Sequence, residues 1–102
     1  MSEPLALRVT GLAAQHIRAA ELWWRINRTA APNAVRQELE RAFALITIQP
    51  RIGSIATNVK LAGVRRIFMP LITYYLYYHV PSPETVEVVA LWHARRGEGP
   101  PI

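Results

Sequence analysis

The stretch Ile72-Thr73-Tyr74-Tyr75-Leu76-Tyr77-Tyr78-His79-Val80 lies inside a run from Ile67 to Pro83 that contains no charged residue. Aromatic and β-branched side chains suit a pleated, half-buried surface. Period-two alternation places Tyr74, Leu76, Tyr78 and Val80 on one face and Tyr75, Tyr77 and His79 on the other. The uncharged run is shorter than the ~20 apolar residues that cross a bilayer, and it holds Pro70, Thr73 and all the tyrosines of the chain, so it reads as sheet interior. Leu76 and Val80 assign Tyr74 and Tyr78 to a core face. Tyr75 and Tyr77 stay open between core and a stacking surface.

Working outward, Val64 to Met69 is short and β-rich, Pro81-Ser82-Pro83 supplies a turn, and Thr85 to His93 reads as a last strand. Leu5 to Thr10 alternates and stops at Gly11, as a first strand would. Between them, Leu12 to Arg28 carries Ala13, Ile17, Ala20 and Trp24 at helical spacing, with Ala19, Trp23 and Ile26 as a second apolar stripe that calls for a second neighbour. Pro32 suits the first position of a second helix, in which Val35, Leu39, Ala42 and Ile46 share a face, Arg36 and Glu40 pair on the other, and Pro50 closes the helix. Ser54 to Lys60 shows no periodicity and reads as a loop. The predicted fold is α+β, in the order strand-helix-helix-strand-strand-strand, an antiparallel sheet with a helical hairpin packed on one face. Residues 1–96 form one domain, and the Gly- and Pro-rich residues 97–102 a flexible tail.

The 102 residues are 51% hydrophobic and 19% charged, enough to build one packed core. Twelve basic against seven acidic residues give a net charge of +5 and a pI near 10.5, which favours phosphate-rich or acidic partners. All the acids are Glu, so calcium loops, Asp-held magnesium and Ser-His-Asp triads are excluded. With no cysteine there is no disulfide, thiolate zinc site or cysteine nucleophile. The three histidines lack ligand spacing, so neither metal nor cofactor is expected. Met1-Ser2-Glu3-Pro4 is no secretory leader, and a cytoplasmic location is expected.

Four pieces resemble the RelE/ParE family of toxins from bacterial type II toxin–antitoxin modules, and most of all its ParE-like branch. They are Pro50-Arg51-Ile52-Gly53, the strand lead-in Gly63-Val64-Arg65-Arg66, the tyrosine strand from Tyr74 to Val80, and the closing Val88-Val89-Ala90-Leu91-Trp92-His93-Ala94-Arg95-Arg96. The likeness runs from Leu5 to Arg96. It implies a growth-inhibiting protein held silent by a cognate antitoxin. It also implies one of two actions, poisoning of DNA gyrase as in ParE members or ribosome-dependent cleavage of mRNA as in RelE members.

Metal-free cleavage of RNA needs a base, an acid and cations on the developing charge. Arg65, Arg66 and His93 are the candidates, but Tyr75 stands where the resemblance leads one to look for an arginine, and no Tyr or His follows Arg96. The residues therefore favour a non-enzymatic toxin that binds gyrase, with mRNA endonuclease as the alternative. The candidate target-binding set is Arg65, His93, Arg95 and Arg96. The candidate antitoxin-binding set is Trp23, Trp24, Tyr75 and Tyr77, since the adjacent tryptophans cannot both face one neighbour.

Overall fold

The computed structural model describes residues 3–102. In chain order it contains β1 (Ala6–Val9), α1 (Gly11–Asn27), α2 (Ala34–Ile48), β2 (Ser54–Ile55), β3 (Arg65–Met69), β4 (Tyr74–Ser82) and β5 (Thr85–His93). The strands make one sheet in the order β1-β5-β4-β3-β2. The expected meander is present, with Arg65 opposite Tyr78 through Met69 opposite Tyr74, and Tyr74 in turn opposite His93. β1, however, runs parallel to β5, Ala6 opposite Thr85 through Val9 opposite Val88, so the sheet is mixed rather than antiparallel throughout. The cause is α1, which runs on in the direction of β1 instead of reversing: Thr10 bonds Val88, His16 reaches Leu91 and Trp23 lies beside His93, so α2 is the first element to turn back. The short strand β2 lies within the stretch that the sequence presents as loop and pairs with β3.

α1 starts at Thr10, whose hydroxyl accepts the Ala13 amide at 3.1 Å and satisfies one of the free donors of the first turn. Its row of Ala13, Ile17, Ala20 and Trp24 packs on the sheet, and Val35, Leu39, Ala42 and Ile46 of α2 are buried beside it, as their spacing predicts. The second stripe of α1 finds no neighbour. Ala19, Trp23 and Ile26 lie exposed with Leu22, because α2 touches only the other side of the helix. Pro32 falls in the connecting turn, and Asn33 precedes the first residue of α2. Arg36 reaches Glu21 of α1 at 3.5 Å instead of Glu40, and the pair within α2 is Arg41 with buried Glu38 at 3.3 Å.

Two ladder irregularities shape β4. One lies between His79 and Ser82, where the ladder asks no amide of Pro81, so the strand continues through that proline and the turn contracts to Pro83-Glu84. The other lies between Tyr77 and Tyr78, which face Ala90 and Val88 and leave Val89 as the extra residue. Tyr77 and Tyr78 are both fully buried, on opposite faces of the sheet. The Tyr78 hydroxyl accepts the Gly53 amide at 2.8 Å and donates to the Pro50 carbonyl at 2.9 Å, tying the end of α2 to the sheet. A Cβ on Gly53 would come within 2.7 Å of that hydroxyl and 2.9 Å of the Arg66 carbonyl, so the close approach requires glycine. Tyr74, expected in the core, is only half-buried at its margin.

The helices cover one sheet face. On the other, Val64, Tyr77, Val89 and Ala90 pack with Ala56, Val59, Tyr75, Trp92 and Ile102. Residues 97–102, read from composition as a flexible tail, lie back across this apolar face. The Ile102 carbonyl accepts the Lys60 amide at 2.9 Å, the Glu98 carbonyl accepts Trp92 Nε1–H at 2.8 Å, and Pro100 is buried. Gly99 lets the two backbones touch, since a Cβ there would overlap the Asn58 carbonyl.

Candidate functional site

Where β3 turns into β4 and β5 runs out, the C-terminal turn of α1 overhangs the end of the sheet and leaves a cavity of about 490 Å3. From α1 come Trp23 and Trp24, edge to face at 6.1 Å, with Arg28 in cation–π reach of both rings at 5.2 and 5.9 Å. From the sheet come Tyr74 and His93, opposite one another in the ladder with ring centroids 5.0 Å apart. Arg95 closes the rim, held where the His93 Nδ1 accepts its amide at 3.1 Å. Burial pushes the Tyr74 phenol above its ordinary value against the opposing pull of Arg96, so it stays a hydrogen-bond donor. No carboxylate is among the lining residues.

Thr73 also lines this cavity, at φ 61°. Its amide and that of Ile72 both bond the Met69 carbonyl, at 2.9 and 3.3 Å, in a tight turn whose last residue must be left-handed. Glycine or asparagine normally fills such a place, and a β-branched residue there costs on the order of 1–3 kcal/mol.

A smaller cavity shares Trp23, Tyr74 and His93 and adds His16, Trp92 and Arg96. β1 ends before it can cover the outer edge of β5, and the His16 Nδ1 accepts the Leu91 amide, which has no strand partner there, at 3.2 Å. Burial, and then the Arg96 charge, holds His16 below its ordinary value of 6.5, so the ring is neutral and Nδ1 remains an acceptor. Arg96 itself lies 4.0 Å from the Trp92 ring, so consecutive arginines diverge, Arg95 into the larger cavity and Arg96 onto an indole.

The remaining candidates are elsewhere. Arg65 donates to the Gly53 carbonyl at 2.7 Å, and Arg66, on the opposite face, lies 4.0 Å from the Tyr75 ring and 3.4 Å from the Tyr77 hydroxyl. Both sit at the Tyr77–Tyr78 level of the ladder, away from the Tyr74 level that carries His93, so Arg65, Arg66 and His93 are not brought together. Tyr77 is sealed beneath the loop before β3, its hydroxyl accepting from Asn58 at 3.0 Å, and offers no surface to a partner. Tyr75 is half-buried on the same face, whereas Trp23 is open. The structure thus joins residues assigned to separate sets, Trp23 and Trp24 with His93 and Arg95. It adds Arg28, Thr73, Tyr74 and His16. Only Arg28 had a signal, its i,i+4 spacing from Trp24.

The family model for the ParE toxin of the type II toxin–antitoxin system parDE matches residues 7–97. The chromosomal ParDE system of P. aeruginosa superposes at TM-score 0.72 and 16% identity, over 92% of this chain and 100% of that one. The RelBE2 toxin–antitoxin complex of Mycobacterium tuberculosis gives 0.63 at 22% identity over 89% and 99%. The intact E. coli RelBE complex gives 0.63 at 20% over 90% and 99%. At such identities the likeness is one of fold. No curated protein sequence matches.

Proposed function

This chain belongs to the ParE toxin family of type II toxin–antitoxin systems, and on that premise we propose that it arrests growth in the cytoplasm by gripping a protein target, DNA gyrase, until a cognate antitoxin covers it. The observation that carries this reading is the dispersal of the cations. Arg65 and Arg66 are engaged on opposite faces of the sheet, while Arg95 and His93 stand with Arg28 at a rim without a carboxylate. Such a rim suits an acidic protein surface, where charge complementarity steers encounter and fixes register. The exposed apolar stripe of Leu22, Trp23 and Ile26 suits an amphipathic antitoxin segment laid along α1.

The test is induction without the antitoxin, with DNA synthesis and transcript ends followed together. Early arrest of DNA synthesis with intact transcripts is expected, and new cleavage ends within translated codons appearing first would overturn the reading in favour of an endonuclease. Arg95→Ala with Arg96→Ala should abolish toxicity at an unchanged thermal midpoint, with Arg18→Ala plus Arg25→Ala as the surface control.

A further inference from the structure

We propose that the cavity between the end of α1 and the β4–β5 ends is a binding site for a free mononucleotide, the base stacked among the indoles and Tyr74 and the phosphate held by Arg28 and Arg95. The inference concerns the same rim that the proposed function gives to an acidic protein surface, and assigns the cavity behind it a small ligand of its own. Three observations carry it. First, the volume of about 490 Å3 lies within the range of small-ligand pockets, roughly 300–1,000 Å3. Second, the walls are flat rings rather than aliphatic chains. Trp23, Trp24, Tyr74 and His93 converge with Ile72 as the single aliphatic residue, which fits a planar base better than a peptide side chain. Third, Arg28 and Arg95 both line the space and no carboxylate is among the lining residues, so a multiply charged phosphate meets cationic side chains and no repulsion.

Thr73 adds an independent sign. A turn that asks for glycine keeps a β-branched residue in a left-handed conformation, and strain of this kind gathers where a side chain or backbone must face a ligand. The Arg28 guanidinium, in cation–π reach of both tryptophans, is partly ordered before any ligand arrives, which lowers the ordering cost of binding.

The experiment is titration of the full-length chain with AMP, followed by calorimetry and by the indole N–H resonances. Trp92 is an internal control, because its Nε1–H is bonded to Glu98 on the other sheet face. Saturable AMP binding that shifts Trp23 and Trp24 but not Trp92 is the expected result, with inorganic phosphate at least about tenfold weaker because it cannot stack. Arg28→Gln should weaken AMP about tenfold or more, and Arg28→Lys should recover only part of that loss, because the planar fork is gone. Arg28 is exposed at the end of α1, so both variants should fold, with a midpoint lowered by no more than the loss of its cation–π contacts, and Arg28→Lys should retain part of those contacts.

The proposal would be overturned by no saturable binding of AMP, by shifts of Trp92 alone, by phosphate binding as tightly as AMP, or by an acidic peptide binding more tightly than AMP at the same indoles, which would leave the rim to the acidic protein surface alone. A single-stranded oligonucleotide preferred over AMP through those indoles would replace a mononucleotide site with strand recognition, and so would also overturn it.

Discussion

Removing one oxygen tests how the end of α2 is fastened to the sheet. Tyr78→Phe keeps the ring in the core but deletes the hydroxyl that accepts from the Gly53 amide at 2.8 Å and donates to the Pro50 carbonyl at 2.9 Å. Tyr78 is 0% exposed, so water cannot replace the lost partner without opening the loop. Each orphaned buried group costs about 1–3 kcal/mol, which sets the loss at about 2–6 kcal/mol for the pair, a large share of the roughly 5–15 kcal/mol that holds such a domain together. At about 4–8 °C per kcal/mol for a domain of this size, the thermal midpoint should fall by at least about 8 °C.

Urea unfolding reads the change directly, with a lower midpoint at an unchanged slope. Gly53→Ala supplies the coupled control. Its new Cβ meets the Tyr78 hydroxyl at 2.7 Å, a clash that Tyr78→Phe relieves, and the Tyr78 ring Cε1 and the Arg66 carbonyl each at 2.9 Å, clashes that it does not. The double variant should therefore lose less than the sum of the single losses. A Tyr78→Phe cost below about 0.5 kcal/mol, within the range of ordinary surface changes, would refute the reasoning.

Thr73→Gly should raise stability by about 0.5–1 kcal/mol in the same urea assay, because relief of the left-handed strain exceeds the added freedom of the unfolded chain. Glu87 accepts from His79 at 2.8 Å and from Arg8 at 2.7 Å, and these bonds hold its carboxyl below the ordinary 4.5. Its contribution is therefore complete above about pH 4.5 and is lost as pH falls through the lowered value, so Glu87→Gln should flatten the acid limb of a midpoint-against-pH curve. His16, held low by burial and Arg96, contributes above pH 6.5 and loses that contribution as pH falls through its lowered value. His16→Ala should remove this dependence and speed hydrogen exchange at the Leu91 amide.

The parts of the fold that sequence discloses are those written in periodicity. Ala13, Ile17, Ala20 and Trp24, and Val35, Leu39, Ala42 and Ile46, face where their spacing puts them, because burial of one face decides a helix's orientation. The two-residue strand Ser54–Ile55 is too short to alternate. The parallel pairing of β1 with β5 is not written in periodicity either, because it depends on α1 running on along β5 in the direction of β1. The burial of Tyr77 and the shelter of residues 97–102 have no local signature, because both come from one long-range event, the packing of loop and tail on the second face. For the site, the aromatic and basic residues were visible as types, but their union was not. Trp23 and His93 meet only because α1 ends over the sheet terminus, and Thr73 enters only through a turn that composition would have given to glycine.

The parallel pairing of β1 with β5 sets an order in time. Arg8 finds its partner Glu87 across a separation of 79 residues, so the first strand to leave the ribosome waits for the last. Until β5 has emerged, α1 lacks its main support in the sheet, and the rim that needs Trp23 at one end and Arg95 at the other does not exist. If that rim grips the target as proposed, a chain whose β5 has not yet emerged is unarmed. A cell that lengthens or shortens that interval, by codon choice in the segment that encodes β5 or by a stalled ribosome, changes how long an antitoxin has to be at hand when the sheet closes.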